Sequence, residues 1–290
     1  MRIIRKATLI NGFVISVLIG ICGAVVVESV MPGRAWFGLI PSIVIIALLI
    51  RRPFRRLIAS QSPFPDASRD WLRSHVPFYA GLSSASRARF ERDVQLFMSD
   101  QTFEAVDGAE LTELLKLSVS AGAALMLHGR PDWAFSNLRT FLFYPDRFDE
   151  DYYNTRDAAF DGMAHSHGPI IFSVRAVKDG WAHSADGNNV VLHELAHLFD
   201  FDQAAVEGAP SLMDPGSVDA WMELVRREMR LVRRDQSMLR PYAATNPAEF
   251  FAVSVENFFE RPRAMAIRHS ELFQALVAFF NLDPTPREEA

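Results

Sequence analysis

The run His193-Glu194-Leu195-Ala196-His197 carries the residue types and spacing best suited to chemistry. On a helix, residues four apart share a face, so the two imidazoles can meet one divalent cation. Glu194 is turned by about 100° from its neighbour. That turn can set its carboxylate beside a water activated by the metal, where it acts as general base. The flanking residues Val190, Val191, Leu192, Leu198 and Phe199 are apolar. Imidazole and carboxylate groups in such surroundings are costly unless something satisfies them, and a metal does so. The pattern points to a zinc hydrolase.

Two histidines supply half of a tetrahedral site, so a third protein ligand is needed. A metzincin would continue with Gly at position 200 and His or Asp at 203; Asp200 and Gln203 stand there instead, which excludes that class. A glutamate from a later helix is the next candidate. Asn246-Pro247-Ala248-Glu249 opens such a helix with Pro in its first turn. Glu249 and Glu256 are seven positions apart and share a face. Glu249 also occupies the position, three after Asn246, from which a glutamate closes a capping box. Glu256 also reads as an ordinary solvated helix carboxylate. Asp200 follows His197 by less than one turn and could accept from an imidazole N–H. His165 and His167 resemble a metal pair but lack a third partner, and read as surface residues.

These residues resemble the Mlc titration factor A family of zinc peptidases. The resemblance rests on the blocks NNVVLHELAHLFD (188–200), PYAATNPAEFFAV (241–253), Glu256 with Phe258-Phe259, and Gly168-Pro169-Ile170-Ile171. It runs from about residue 65 to 284 and does not include the N-terminal stretch 1–56. It implies a zincin-like fold, Zn²⁺ held by His193, His197 and Glu249, and Glu194 as catalytic base. It also implies that Tyr242 faces the site, where a phenol can donate to the tetrahedral oxyanion. Peptidase activity, including aminopeptidase activity on small substrates, follows by the same resemblance, as does a transcriptional-repressor partner.

The elements that must position these groups read as α+β. Residues 71–129 carry apolar side chains at three-to-four spacing and are expected to be helical. Strands are expected at 140–144 and 170–174, the second able to pair with an extended substrate backbone as edge strands do. After Gly180 the pattern is helical again, with Asp186-Gly187-Asn188-Asn189 as the turn and cap before the metal helix.

The N-terminal stretch 1–56 is of another kind. Residues 7–30 are almost wholly apolar, with Asn11 and Glu28 as the notable polar interruptions, and residues 35–50 form a second apolar run. A span needs about 20 residues, so the second is short. Arg2, Arg5 and Lys6 precede the pair, Arg51, Arg52, Arg55 and Arg56 follow it, and only Arg34 lies between. This predicts a transmembrane helical hairpin in the inner (cytoplasmic) membrane with both ends cytoplasmic. A signal peptide fits less well, because the apolar run is long and no small-x-small cleavage site follows. The expected organisation is a membrane hairpin over 1–56, a linker over 57–65, a peptidase domain over 66–284 and a tail over 285–290.

Charge is divided in the same way. The net charge is -5. Through Arg56, eight basic residues face one acid, +7, which leaves -12 for the remainder. So acidic a domain is poorly suited to nucleic acid, whose phosphates need a basic face. The single cysteine, Cys22, permits neither an intrachain disulfide nor a thiolate metal site. The expected function is zinc-dependent hydrolysis of peptide or protein substrates. The alternative is a membrane-tethered regulatory protein that sequesters a transcriptional repressor and uses zinc mainly as a structural element.

Overall fold

A computed structural model describes residues 6–133, 135, 139–146, 148–149, 159–160, 162–164, 168–201 and 209–285. Two compact units divide the chain, one ending at Pro63 and the other beginning at Phe64.

The first unit is a helical pair. Helix α1 (Lys6–Val30) and helix α2 (Ile40–Gln61) are joined through a 3-10 turn at Ala35–Leu39. The polar groups inside this apolar pair are answered locally. Ser42 Oγ donates across the pair to Ser16 O at 2.6 Å, and Ser16 Oγ donates to Gly12 O at 2.8 Å. Glu28 accepts from the backbone N–H of Gly33 (2.9 Å) and Ala35 (3.1 Å), which fastens the turn. Large apolar side chains such as Ile10, Phe13, Leu18, Ile43 and Leu48 face outward. Ile10–Val30 (21 residues) and Ala35–Gln61 (27 residues) are both long and apolar enough to cross a membrane. The second segment is thus longer than its apolar run suggested. The expected linker 57–65 is helical as far as Gln61, because no glycine or proline interrupts the chain between Pro53 and Pro63.

The second unit begins with helices α3 (Asp66–His75), α4 (Pro77–Ala80) and α5 (Ser84–Asp100). Strand β1 (Thr102–Ala105) then interrupts what the periodicity presented as continuous helix. Its aromatic Phe103 stacks on Phe141 of strand β2 (Thr140–Tyr144), with centroids 5.3 Å apart. So short a strand has too little alternation to stand out against helical flanks. Helix α6 (Glu113–Leu127) follows, capped by Thr112, whose Oγ1 accepts from Leu115 N–H. Among the described residues, strands β3 (Phe148–Asp149), β4 (Ala159–Phe160), β5 (Gly162–Ala164) and β6 (Ile170–Ser173) complete the strand set.

The main sheet has the order β1-β2-β6-β5. Strands β1, β2 and β6 are parallel, and β5 runs antiparallel to β6. Phe141, Phe143 and Phe172 are fully buried across its centre, each ring contributing about 1.5–3 kcal/mol relative to an exposed one. Strand β6 stops one position earlier than expected. Ser173 caps helix α7 (Val174–Ala182) by accepting from Ala176 N–H. Helices α8 (Val190–Phe201), α9 (Val218–Arg233), α10 (Pro247–Glu260), α11 (Pro262–Arg268) and α12 (Ser270–Phe280) follow.

Helix α6 is the bed on which α8 lies. From Ser118 to Leu127 it is buried throughout, and much of that run is small: Ser118, Ser120, Ala121, Gly122, Ala123 and Ala124. A Cβ at Gly122 would meet Val191 Cγ1 at 2.8 Å and Leu195 Cδ1 at 3.2 Å. The missing side chain sets how closely α8 can approach.

His128, at the end of α6, gives a pH prediction independent of the site. It is 4% exposed, and Arg89 Nη2 donates to its Nε2 at 2.8 Å, so the ring proton belongs on Nδ1. Burial and the neighbouring Arg89 charge push its pKa down to about 4. The unfolded chain takes up that proton near pH 6.5, whereas the folded chain resists it until about pH 4. The neutral form therefore contributes stability above pH 6.5 that is lost on acidification through this window. Thermal melts at pH 7 and pH 5 should show a loss of roughly 1–2 kcal/mol once solvent screening is allowed for. His128→Gln should flatten that dependence, and equal pH slopes in both proteins would count against it.

Candidate metal site and catalytic groups

Asn189 begins the site. It is fully buried, and its Oδ1 accepts from Val191 N–H (3.1 Å) and Leu192 N–H (3.3 Å), satisfying the first free donors of α8. One turn later His193 and His197 share a face, with ring centroids 4.9 Å apart and Nε2 atoms 3.3 Å apart. Helix α10 brings the third group. Asn246 Oδ1 caps it by accepting from Glu249 N–H at 2.9 Å. Only that half of a capping box is made; the Glu249 carboxylate turns instead toward the histidines. Its Oε2 lies 2.9 Å from His193 Nε2 and 3.5 Å from His197 Nε2. Donor atoms of His193, His197 and Glu249 all fall within 4.8 Å of one another, the one such group among the described residues.

The donor set fits a cation. Glu256 Oε1 stands 2.7 Å from His193 Nδ1. A carboxylate only accepts, so Nδ1 carries the proton and Nε2 of the neutral ring presents a lone pair. That lone pair faces a Glu249 oxygen and the other imidazole nitrogen. Three electron-pair donors so close repel unless a positive centre, a proton or a metal ion, is shared among them. The electrostatics say the same. Burial opposes charge on His193, yet Glu249 and Glu256 on either side push its pKa up. Burial alone would raise Glu249, but the two imidazoles hold it far below the usual carboxylate range.

Glu194 is 5% exposed and is not one of the three clustered groups. Burial pushes its pKa up against the pull of His193 and His197. Strand β5 passes directly over it: a Cβ at Gly162 would sit 2.6 Å from Glu194 Oε1. Glycine is what leaves room for that carboxylate. Strand β6, expected to offer a free edge, has β2 on one side and β5 on the other. Among the described residues the edge beside α8 is β5.

Tyr242 stands in a 3-10 turn at Pro241–Ala244, with its ring 5.9 Å from that of His193. It is 45% exposed, half inside the site and half open to solvent. Burial and the nearby Glu249 and Glu194 charges push its pKa up to about 12, so it is a phenol and a donor at neutral pH. The segment leading to it is tied down by His269. His269 Nδ1 contacts Glu228 Oε2 at 2.6 Å, and its Nε2 accepts from Met238 N–H at 3.3 Å.

Glu256 departs from the solvated carboxylate that the sequence suggested. It is fully buried against His193, Asn189 and Arg240. Sequence reasoning placed Asn189 in the cap before α8, where the structure has it, but did not find Arg240 or Gly162 as parts of this neighbourhood. An arginine before Pro-Tyr carries no local signal of its partner Glu256 on a later helix, and a glycine between strand fragments looks like any turn. His165, His167 and the Asp200 side chain lie outside the described residues.

Known proteins are similar to most of this chain. A sequence model of the family described as "Glucose-regulated metallo-peptidase M90" matches residues 50–281. An uncharacterized protein of Synechocystis, slr2042, is 31% identical over 241 residues, 77% of this chain and 86% of that protein. Mlc titration factor A of Cronobacter sakazakii is 29% identical over 229 residues, 73% of this chain and 85% of that protein. Mlc titration factor A of Enterobacter sp. is 28% identical over 246 residues, 79% and 91% respectively.

Proposed function

The chain belongs to the glucose-regulated metallo-peptidase M90 family, and from that premise we propose that it is a zinc-dependent peptidase with a zincin-like catalytic domain. The observation that carries the choice of zinc is the donor cluster, in which His197 Nε2 lies 3.3 Å from His193 Nε2 and 3.5 Å from Glu249 Oε2, while the His193–Glu249 pair, at 2.9 Å, is closer than a shared ion would hold it. Bonds of about 2.0–2.2 Å to a tetrahedral Zn²⁺ require ligand separations of roughly 3.3–3.6 Å. Imidazole and carboxylate are also the donors that zinc hydrolases use, with one position left open for water or substrate.

His193, His197 and Glu249 hold the metal in this reading. Bound zinc supplies an acidified water and a Lewis acid for the scissile carbonyl. Glu194 takes the proton of the attacking water; its raised pKa brings it nearer the range in which a carboxylate can both accept and return a proton. Tyr242 donates its phenolic hydrogen to the developing oxyanion. Glu194 then delivers the proton to the leaving amine. The substrate backbone lies along β5, the edge beside α8. The family resemblance favours small peptides trimmed from the N-terminus.

The two apolar helices anchor this domain as a transmembrane hairpin. The basic residues outside both ends favour an orientation with the catalytic domain in the cytoplasm. Peptide-library profiling of the full chain in detergent micelles tests the activity. Cleavage that a chelator abolishes and Zn²⁺ restores is expected. Stoichiometric zinc with no cleavage of any peptide would instead support a regulatory protein that sequesters a repressor.

A further inference from the structure

Glu256 is saturated with donors. Its Oε1 accepts from His193 Nδ1–H (2.7 Å) and Arg240 Nη2 (2.8 Å), and its Oε2 from Arg240 Nη1 (2.7 Å) and Asn189 N–H (2.7 Å). Two carboxylate oxygens offer about four lone-pair directions, and four donors fill them. The group is 0% exposed, so these partners, not solvent, answer its oxygens. Arg240 is the one cation among them that binds both oxygens, in the planar fork that only a guanidinium presents.

Arg240 also reaches the other side of the site. It stands two positions before Tyr242, and its guanidinium carbon lies 5.9 Å from the centre of that ring. Its Nη1 donates a further hydrogen bond to Asn188 in the turn before α8. One side chain therefore joins the orienting carboxylate of His193, the turn before the metal helix and the segment carrying the oxyanion donor.

Resting on the zinc reading above, we infer that Arg240 is a positioning residue. It locks the Glu256 carboxylate in the plane that fixes the His193 ring with Nε2 directed into the metal site, and it fastens Tyr242 beside that ring. Without the fork, Glu256 keeps only two of its four donors and is free to rotate. Rotation releases the His193 imidazole from its orientation.

The test measures Zn²⁺ affinity of the full chain by competition with a chromophoric chelator, beside thermal melts of the metal-free proteins. Loss of an outer partner of a metal ligand typically weakens metal binding by about 10–100-fold. Arg240→Gln is expected to fall in that range, and Arg240→Lys, which keeps the charge and loses the fork, to weaken it less. In Arg240→Lys, kcat should fall with KM nearly unchanged. An arginine that merely stabilises the fold would lower the melting temperature and leave the Zn²⁺ dissociation constant of the folded protein at its wild-type value. That result in either variant overturns the inference. If Arg240→Gln does not fold, Arg240→Lys decides alone by the same criterion. Wild-type protein that binds no Zn²⁺ would overturn the underlying zinc reading as well, which distinguishes the two failures.

Discussion

Glu194→Gln is expected to bind metal as the wild type does and to lose turnover by about 10²–10⁴-fold, the span that a general acid–base group contributes. Three features of the structure set this expectation. The carboxylate is almost fully buried and lies beside the cluster without joining it, so its loss removes no ligand. Glutamine is nearly isosteric and fits the space left by Gly162, where a Cβ would already press on Glu194 Oε1. The amide has no lone pair basic enough to take a proton from water, and the variant also lacks the group that must return it to the amine. Metal content by elemental analysis and kcat/KM on the best library peptide are the measurements. Wild-type turnover in the variant would remove Glu194 from the chemistry. Lost metal would make it a structural support.

Glu249→Ala separates ligand from cap. The cap of α10 runs from Glu249 N–H to Asn246 Oδ1, and alanine keeps that N–H. Helix α10 should therefore remain formed, and the metal-free variant should melt close to the metal-free wild type. Metal affinity should fall further than the roughly 10–100-fold lost with an outer partner, because two imidazoles alone make half a site. Activity should drop to background at any zinc concentration that leaves the protein soluble. Chelator competition and melting curves provide the readings. Retained affinity would transfer the third ligand to another residue. A collapse in metal-free stability would return Glu249 to a structural role.

Much of this site was legible because its chemistry is local. His193, Glu194 and His197 lie within one helical turn and a half, and a spacing of four fixes which groups share a face. The third member of the cluster was less legible. Glu249 and Glu256 share a face of α10, and capping was an equal claim on the first. Tertiary placement separates them: α10 crosses α8 so that Glu249 meets both Nε2 atoms, while Glu256 meets the far nitrogen of His193. Arg240 was invisible for the same reason, since its meaning lies in a carboxylate on another element. Strand β1 escaped because a strand so short, flanked by strongly helical stretches, carries little periodicity. The helical end of α2 escaped because Ser60 and Ser62, with Pro63, Pro65 and Asp66 after them, suggested a linker, although serine does not break a helix.

The close seating of α8 on Gly122 widens what counts as the active site for anyone reading variants of this chain. The two histidines ride on a helix whose height is set by an absent side chain on a different one. Enlarging position 122 need not unfold a domain with so large a core; it can raise the helix and move the imidazoles. A misplacement of about 1 Å at reacting groups can cost on the order of 10²-fold in rate. A change at Gly122, which bears no functional group and lies far before His193 in the chain, can therefore pass every test of folding and still register as a catalytic defect.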